Sequence, residues 1–266
     1  MKNIRYILMT ALAAFCMTSC EWFELDNTEQ HNATVSGKII DSATGETVQT
    51  EINGNGSSIR FVELGWTDKD GNAVESFQSW AVKNNGTYRN NLVWAADYRM
   101  ETIESNYYPL TQEFKLEKGD NVVDFTVTPY LRFLSHEIKY DAATKKIVAT
   151  ATVQVSDPSK TTKLNEIRLC CYTDCFVGQT LNNCKNDAGA AVTNVTMDAN
   201  GKATVTVEID TQAAANATEF KYERTHYVRL AGLATGSGVN TSSRYNFTPT
   251  YSIRLDGSDA VLYDKW

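Results

Sequence analysis

The chain has 266 residues, with 25 Lys and Arg against 32 Asp and Glu, a formal net charge of −7 and 42% hydrophobic residues. That is enough chain for two domains of ordinary size, each burying its own core. The acidic balance argues against nucleic-acid binding through phosphates. It also argues against attraction to an anionic membrane surface.

Lys2 and Arg5 precede an apolar run from Ile7 to Phe15, so residues 1–19 read as a bacterial export signal. The run is too short to span a bilayer as a helix. Met17-Thr18-Ser19-Cys20 resembles the lipobox of bacterial lipoproteins. The resemblance implies cleavage before Cys20, acylation of that residue and attachment to a membrane through lipid. An ordinary cleaved signal followed by a chance Cys is the alternative, and Cys16 is lost on either. Removing residues 1–19 takes two basic and no acidic residues, so the mature charge is 23 minus 32, or −9. Residues 20–32 form a polar leader with Glu21, Glu24, Asp26 and Glu29. This acidic stretch resembles the signal that carries Bacteroidetes lipoproteins to the cell surface. It implies display on the outer membrane, with the periplasmic face and a plain solvated tether as alternatives.

From Ala33 onward, short alternating segments are separated by Gly, Asn and Asp turns. That pattern predicts an all-β chain of two tandem β-sandwiches, over 33–129 and 130–266. Strands are predicted at Thr34–Asp41, Ser58–Trp66, Gln78–Val82, Tyr98–Ile103 and Val122–Val127. Alternation in the second of these places Val62, Leu64 and Trp66 on one face, and Trp66 and Trp80 in the core. Asn84-Asn85-Gly86 is a hairpin signal, because both central positions accept left-handed backbone. Pro129 marks the boundary, since it cannot donate to a ladder and holds Thr128 extended. Beyond it, Ile147, Ala149, Ala151, Val153 and Val155 alternate cleanly, and Leu164–Tyr172, Tyr227–Leu233 and Tyr251–Leu255 follow as strands. Val195–Ile209 reads as a hairpin turning at Asn200-Gly201. The run Thr211–Thr218 is a candidate helical turn without an apolar face.

Val35-Ser-Gly-Lys-Ile-Ile-Asp-Ser-Ala-Thr-Gly45 and Asn85-Gly-Thr-Tyr-Arg-Asn-Asn-Leu-Val-Trp-Ala-Ala-Asp-Tyr98 resemble the two signatures of the carboxypeptidase-regulatory-like, transthyretin-like sandwich. Ala96-Asp97 departs from the second, which usually has Gly before the Tyr. Tyr227-Val-Arg-Leu-Ala-Gly, a Gly/Ser loop and Tyr245-Asn-Phe resemble the closing strands of immunoglobulin-like or fibronectin-type domains. In this order after a lipobox, the segments resemble a two-domain Bacteroidetes lipoprotein family of unknown function. The resemblance implies an accessory role in glycan capture or uptake at the outer membrane. The expected partners are a polysaccharide or oligosaccharide, or outer-membrane glycan-import proteins, with membrane contact through the N-terminal lipid. The family supplies no catalytic residue.

No cofactor, metal or catalytic constellation stands out. His31, His136 and His226 are scattered, without H-E-x-x-H or G-x-S-x-G, and each reads as a surface or packing residue. Gly54-Asn-Gly56 and Gly236-Ser-Gly238 read as turns. A hydrolase built on a carboxylate pair is the remote alternative, since sequence does not give carboxyl separations. Cys170, Cys171, Cys175 and Cys184 form an even local cluster, which in an exported chain points to disulfides. Free thiols and a metal site are the alternatives. On a strand, Cys170 and Cys171 face opposite ways and take different partners; four cysteines allow three pairings. Trp94, in a short loop after Leu92, and Tyr107 and Tyr108, after a strand end, are the candidate ligand-binding aromatics, because flat rings stack on sugars and loops at sandwich ends often bind. Asp41-Ser42-Ala43 resembles the short acceptor motif for O-glycosylation at Ser42. A scaffold or adhesion module without sugar binding is the second functional reading.

Overall fold

A computed structural model describes residues 30–52, 56–184 and 192–266. The predicted signal, the lipidation site Cys20, leader residues before Gln30 and most of the Gly54-Asn-Gly56 turn lie outside the described residues. Two β-sandwiches follow one another, as the strand pattern predicts.

The first sandwich comprises β1 (Ala33–Asp41), β2 (Ser58–Glu63), β3 (Ser76–Ala81), β4 (Thr87–Val93), β5 (Asp97–Glu104), β6 (Thr111–Lys115), β7 (Gly119–Val122) and β8 (Phe125–Val127). One sheet has the order β4-β1-β7, with β8 also on β1; the other is β3-β2-β5-β6. Ala33, Val35 and Ile39 point inward at alternate positions of β1 and meet an aromatic core. Phe61 stacks on Trp80 at 3.8 Å between centroids, with Tyr88, Phe114 and Phe125 around it. The strand predicted over Val122–Val127 is interrupted, because the chain passes very close to β1 there. A Cβ on Gly37 would lie 1.7 Å from the Val123 carbonyl oxygen, so only glycine fits. That oxygen accepts the Tyr88 hydroxyl proton instead of a ladder bond.

The second sandwich comprises β9 (Leu131–Asp141), β10 (Lys146–Val155), β11 (Lys163–Tyr172), β12 (Val192–Val195), β13 (Lys202–Asp210), β14 (His226–Thr235), β15 (Asn246–Phe247), β16 (Tyr251–Ile253) and β17 (Val261–Leu262). Its sheets are β13-β10-β9 and β12-β11-β14-β16-β17, with β15 on β14. The predicted alternation in β10 lies wholly in the core with Val205, Val207 and Ile209 of its neighbour, against Ile167, Leu169, Val228 and Leu230 of the other sheet.

Both Asn-Gly turns form, but neither joins a hairpin. Gly86 has φ +79° and Gly201 has φ +71°. The Asn85-Gly86 turn carries the chain from β3 in one sheet to β4 in the other. Asn200-Gly201 likewise leads from β12, on β11, to β13, on β10. A turn sequence fixes local curvature, while the face each strand must bury selects its sheet. Residues 211–218 form successive turns closed by bonds such as Asn216 N–H to the Ala213 carbonyl at 2.8 Å, with no α-helix.

The sandwiches meet along a polar seam. Asn106, 1% exposed, donates from its side chain to the carbonyls of Gln49 (2.8 Å) and Tyr245 (3.0 Å), one in each sandwich. Asn246 donates to the Asn106 carbonyl at 2.8 Å. Arg132 grips Asp41 through two 2.6 Å bonds. Arg229, fully buried, donates to the Thr50 carbonyl at 2.8 Å and lies 3.9 Å over the Phe247 ring. Burial lowers its pKa to about 10, so it stays charged at neutral pH. Arg244 and Glu104 add a further ion pair.

Candidate functional site

β2 ends at Glu63, and Gly65 has φ +93°. This left-handed step breaks the strand alternation and starts a small tongue before β3. Thr67 bridges to Ala73, and the Val74 N–H donates to the Trp66 carbonyl at 2.9 Å. The tip is held by the Asp68 carboxylate, which accepts the N–H groups of Asp70 (2.8 Å) and Asn72 (2.9 Å). Those hydrogen bonds from Asn72 and its neighbours hold the Asp68 carboxyl below the usual carboxylate range.

The tongue places Trp66, 52% exposed, and Val74 on one side of a groove of about 300 Å³. Trp94, Gln78 and Glu63 also line it, with Phe61 and Tyr98 beneath. Trp94 is half-buried in the β4–β5 loop, where the sequence placed it. Its backbone carbonyl accepts the Tyr98 hydroxyl at 3.1 Å, and the next N–H, of Ala95, donates to Asn32 at 2.8 Å. His31 packs on its ring at 4.1 Å. Burial, and then the nearby Glu63 charge, push Tyr98 up to about 12, so it remains a donor at neutral pH. Gln78 accepts the Trp80 indole N–H at 3.0 Å, which turns its amide NH2 toward solvent as a donor. The groove therefore offers two indoles, an amide, the hydroxyls of Thr67 and Ser76, and a carboxylate. Such an apolar wall with a few convergent polar groups is the usual make-up of a small-molecule site.

The structure does not bring Trp94 together with Tyr107 and Tyr108. They lie beyond opposite ends of β5, an eight-residue strand, which spans roughly 26 Å. Tyr107 is 1% exposed and bridges to Pro129, so it is a packing residue rather than a ligand contact. Burial pushes it up to about 12. Tyr108 packs edge-on against Tyr130 at 4.8 Å and bonds the Thr161 hydroxyl of the second sandwich. Tyr107 is buried because the loop after β5 packs against the second sandwich, while Tyr108 stays half-buried beside it. Trp66 corrects the sequence reading in the opposite sense, since it lies in the groove and not in the core; Trp80 is in the core, 8% exposed. Gly65 just before it, a residue that readily ends a strand, was the signal available.

The structure holds Cys170, Cys171, Cys175 and Cys184 without an S–S bond between them. Two bridges are not arranged. Cys170 and Cys171 do face opposite sides of β11, in different apolar clusters. Cys171 meets Cys184, whereas Cys170 packs on Val177, Ala231 and Phe247 and Cys175 contacts Tyr263. Ser42 is exposed in the turn after β1, beside the Asp41 that Arg132 holds. His226 is buried near Glu219, and His136 bonds the Tyr251 hydroxyl at 2.7 Å. Among the described residues no cluster of three or more His, Cys, Asp or Glu could hold a metal.

Residues 33–128 match the family described as protein of unknown function (DUF3823), N-terminal domain. A candidate carbohydrate binding protein from Bacteroides uniformis is 31% identical, with a TM-score of 0.70 over 85% of this chain and 100% of its own. DUF3823 family proteins from Parabacteroides merdae (16% identity, TM-score 0.63, 86% of this chain and 100% of its own) and Bacteroides uniformis (18%, 0.61, 84% and 98%) share the fold. No curated protein matches.

Proposed function

We propose that this chain, which belongs to the DUF3823 family, is a non-catalytic lipoprotein that binds neutral glycans in the Trp66–Trp94 groove as an accessory of glycan uptake at the outer membrane. The observation that carries the reading is the pair of indoles on one groove, Trp66 more than half exposed and Trp94 half-buried. Burying so large a ring is worth several kcal/mol at most protein sites, and a groove is where an exposed one gains that energy on binding. A pyranose ring offers a C–H face for each indole and hydroxyls for Gln78, Ser76 and Glu63. The 31% identical relative named for carbohydrate binding supports the same reading.

Charge narrows the ligand. No Lys or Arg lines the groove. The nearby Arg99 is tied to Glu75 at 2.8 Å and Glu101 at 2.7 Å. A uronate or sulfate ester would meet the Glu63 carboxylate in an acidic body, so uncharged sugars are favoured. Glu63 is the one carboxylate in the described lining, while two-carboxylate glycoside hydrolysis needs a facing pair; this supports binding without turnover. Lipid on Cys20 would hold the groove at the membrane, at the surface or the periplasmic face.

Affinity electrophoresis of the soluble body through neutral, uronate-rich and sulfated polysaccharides tests the reading. Retardation by a neutral polysaccharide, reduced in Trp66→Ala, is expected. Equal mobility in every gel would overturn it. A scaffold role draws on the exposed Leu92 (63%) and Val122 (78%) of the β4-β1-β7 sheet; co-purification of one stable membrane partner, lost in Leu92→Ser, would favour it.

A further inference from the structure

Cys171 and Cys184 lie outside the groove, and the glycan reading does not use them. Both are buried, at 0% and 3%, in the same core cluster of the second sandwich. The backbone around them is fixed as a unit. The Asn182 side-chain oxygen accepts the N–H groups of Cys171 (3.0 Å) and Cys184 (3.3 Å), and the Asn183 N–H donates to the Cys171 carbonyl at 3.1 Å. Asn182 thus folds the chain back so that the two side chains enter the same pocket. The other cysteines are placed elsewhere, Cys170 on the opposite face of β11 and Cys175 half-exposed beside Tyr263. Of the three pairings that four cysteines allow, this geometry favours one link and leaves two thiols.

The segment between the pair does structural work at the seam. The Thr180 N–H and hydroxyl donate to the Glu51 carboxylate of the first sandwich at 3.2 and 3.3 Å. Gly178 sits where any Cβ would fall 2.3 Å from a Glu51 oxygen and 3.0 Å from an Arg229 nitrogen, so the loop presses directly on the buried seam. A link at its base would hold that loop in place.

We infer that Cys171 and Cys184 form a disulfide that clamps the loop from Tyr172 to Asn183 onto the first sandwich. The link forms during folding, because burial, together with the Cys184 contact, raises the Cys171 thiol well above its ordinary range and makes the enclosed pair unreactive. In the reaction one Sγ–Sγ bond forms, each thiol gives up its proton, and two electrons pass to the disulfide of a thiol–disulfide oxidoreductase or of oxidised glutathione, which is reduced to two thiols. The inference rests on the Asn182 and Asn183 bonds that bring two buried cysteines into one core cluster, not on glycan binding.

The test is to refold the soluble Glu21–Trp266 form, which keeps four cysteines, with oxidised and reduced glutathione, alkylate it in denaturant without reductant, and map its peptides. The expected product is lighter by two hydrogens, carries a Cys171–Cys184 cross-linked peptide and is alkylated at Cys170 and Cys175. Adding dithiothreitol should lower its melting temperature by several degrees. The variant C170A/C175A should keep both the link and that shift, and C171A/C184A should lose them. Alkylation of all four cysteines, or a link through Cys170 or Cys175, would overturn the assignment.

Discussion

At the seam polar side chains are inside, and at the groove apolar rings are outside. Asn106 and Arg229 are 1% and 0% exposed, yet Trp66 is 52% exposed. Each arrangement reverses the usual distribution of residues, and each needs its own reason. Buried polar groups are tolerated when they are hydrogen-bonded. Asn106 meets that condition by serving carbonyls from both sandwiches, and Arg229 meets it in part, through Thr50 and the face of Phe247. An exposed indole finds no such compensation within the chain, and its natural complement is a ligand. On the proposed reading the seam holds geometry and the groove binds ligand, and substitutions should separate the two.

The largest effect is expected at the seam. Asn106→Ala strands the Gln49 and Tyr245 carbonyls and should cost about 3 kcal/mol of stability, read by urea unfolding, with groove affinity unchanged in the folded fraction. A weakened groove in the folded protein would break the separation. Next comes Arg132→Ala, which removes both bonds to Asp41 and should cost about 2 kcal/mol.

Acid sharpens that second case. Burial raises the Asp41 carboxyl, but the bonds from Arg132 and the Ala43 N–H outweigh it, so its folded pKa lies below the ordinary value of 3.8. Its contribution is full above the unfolded pKa and is lost as pH falls through the folded one. Burial also lowers His136 and His226 from 6.5. Their neutral forms suit the fold, so stability should decline from about pH 6.5 downward, and again below about pH 4. Arg132→Ala should flatten the second decline and leave the first; denaturant midpoints across pH would show it.

At the groove the effects are on binding. Trp66→Ala should weaken a neutral glycan about tenfold, corresponding to roughly 1.4 kcal/mol, with a melting temperature near wild type. Gly65→Ala gives the smallest change. A Cβ there meets nothing within 4 Å, so only the φ of +93° opposes it. The cost should be about 1 kcal/mol, with a partial loss of affinity as Trp66 shifts.

Much of this architecture was legible in the chain. The alternation of β10 and the left-handed glycine of each Asn-Gly turn follow from local chemistry, and local chemistry persists in the fold. What the turns could not reveal was destination, because hydrogen bonds within three residues do not encode which sheet the next strand joins. Trp94 was readable from its loop. Trp66 was hidden by an alternating pattern that Gly65 ends one residue earlier. Asn106 resembles any turn residue, and only docking of the second sandwich makes it a buried bridge. Tyr107 was hidden for the same reason, since its side chain is buried where that loop end packs.

Calorimetric titration of a soluble Glu21–Trp266 form and its Trp66→Ala variant, with the neutral polysaccharide that retards the protein most, tests the account most directly when paired with thermal melts. The account predicts saturable binding by the wild type, about tenfold weaker binding by the variant, and coincident melting curves. Undiminished affinity in the variant, or a loss of affinity that tracks a loss of folding, would contradict it.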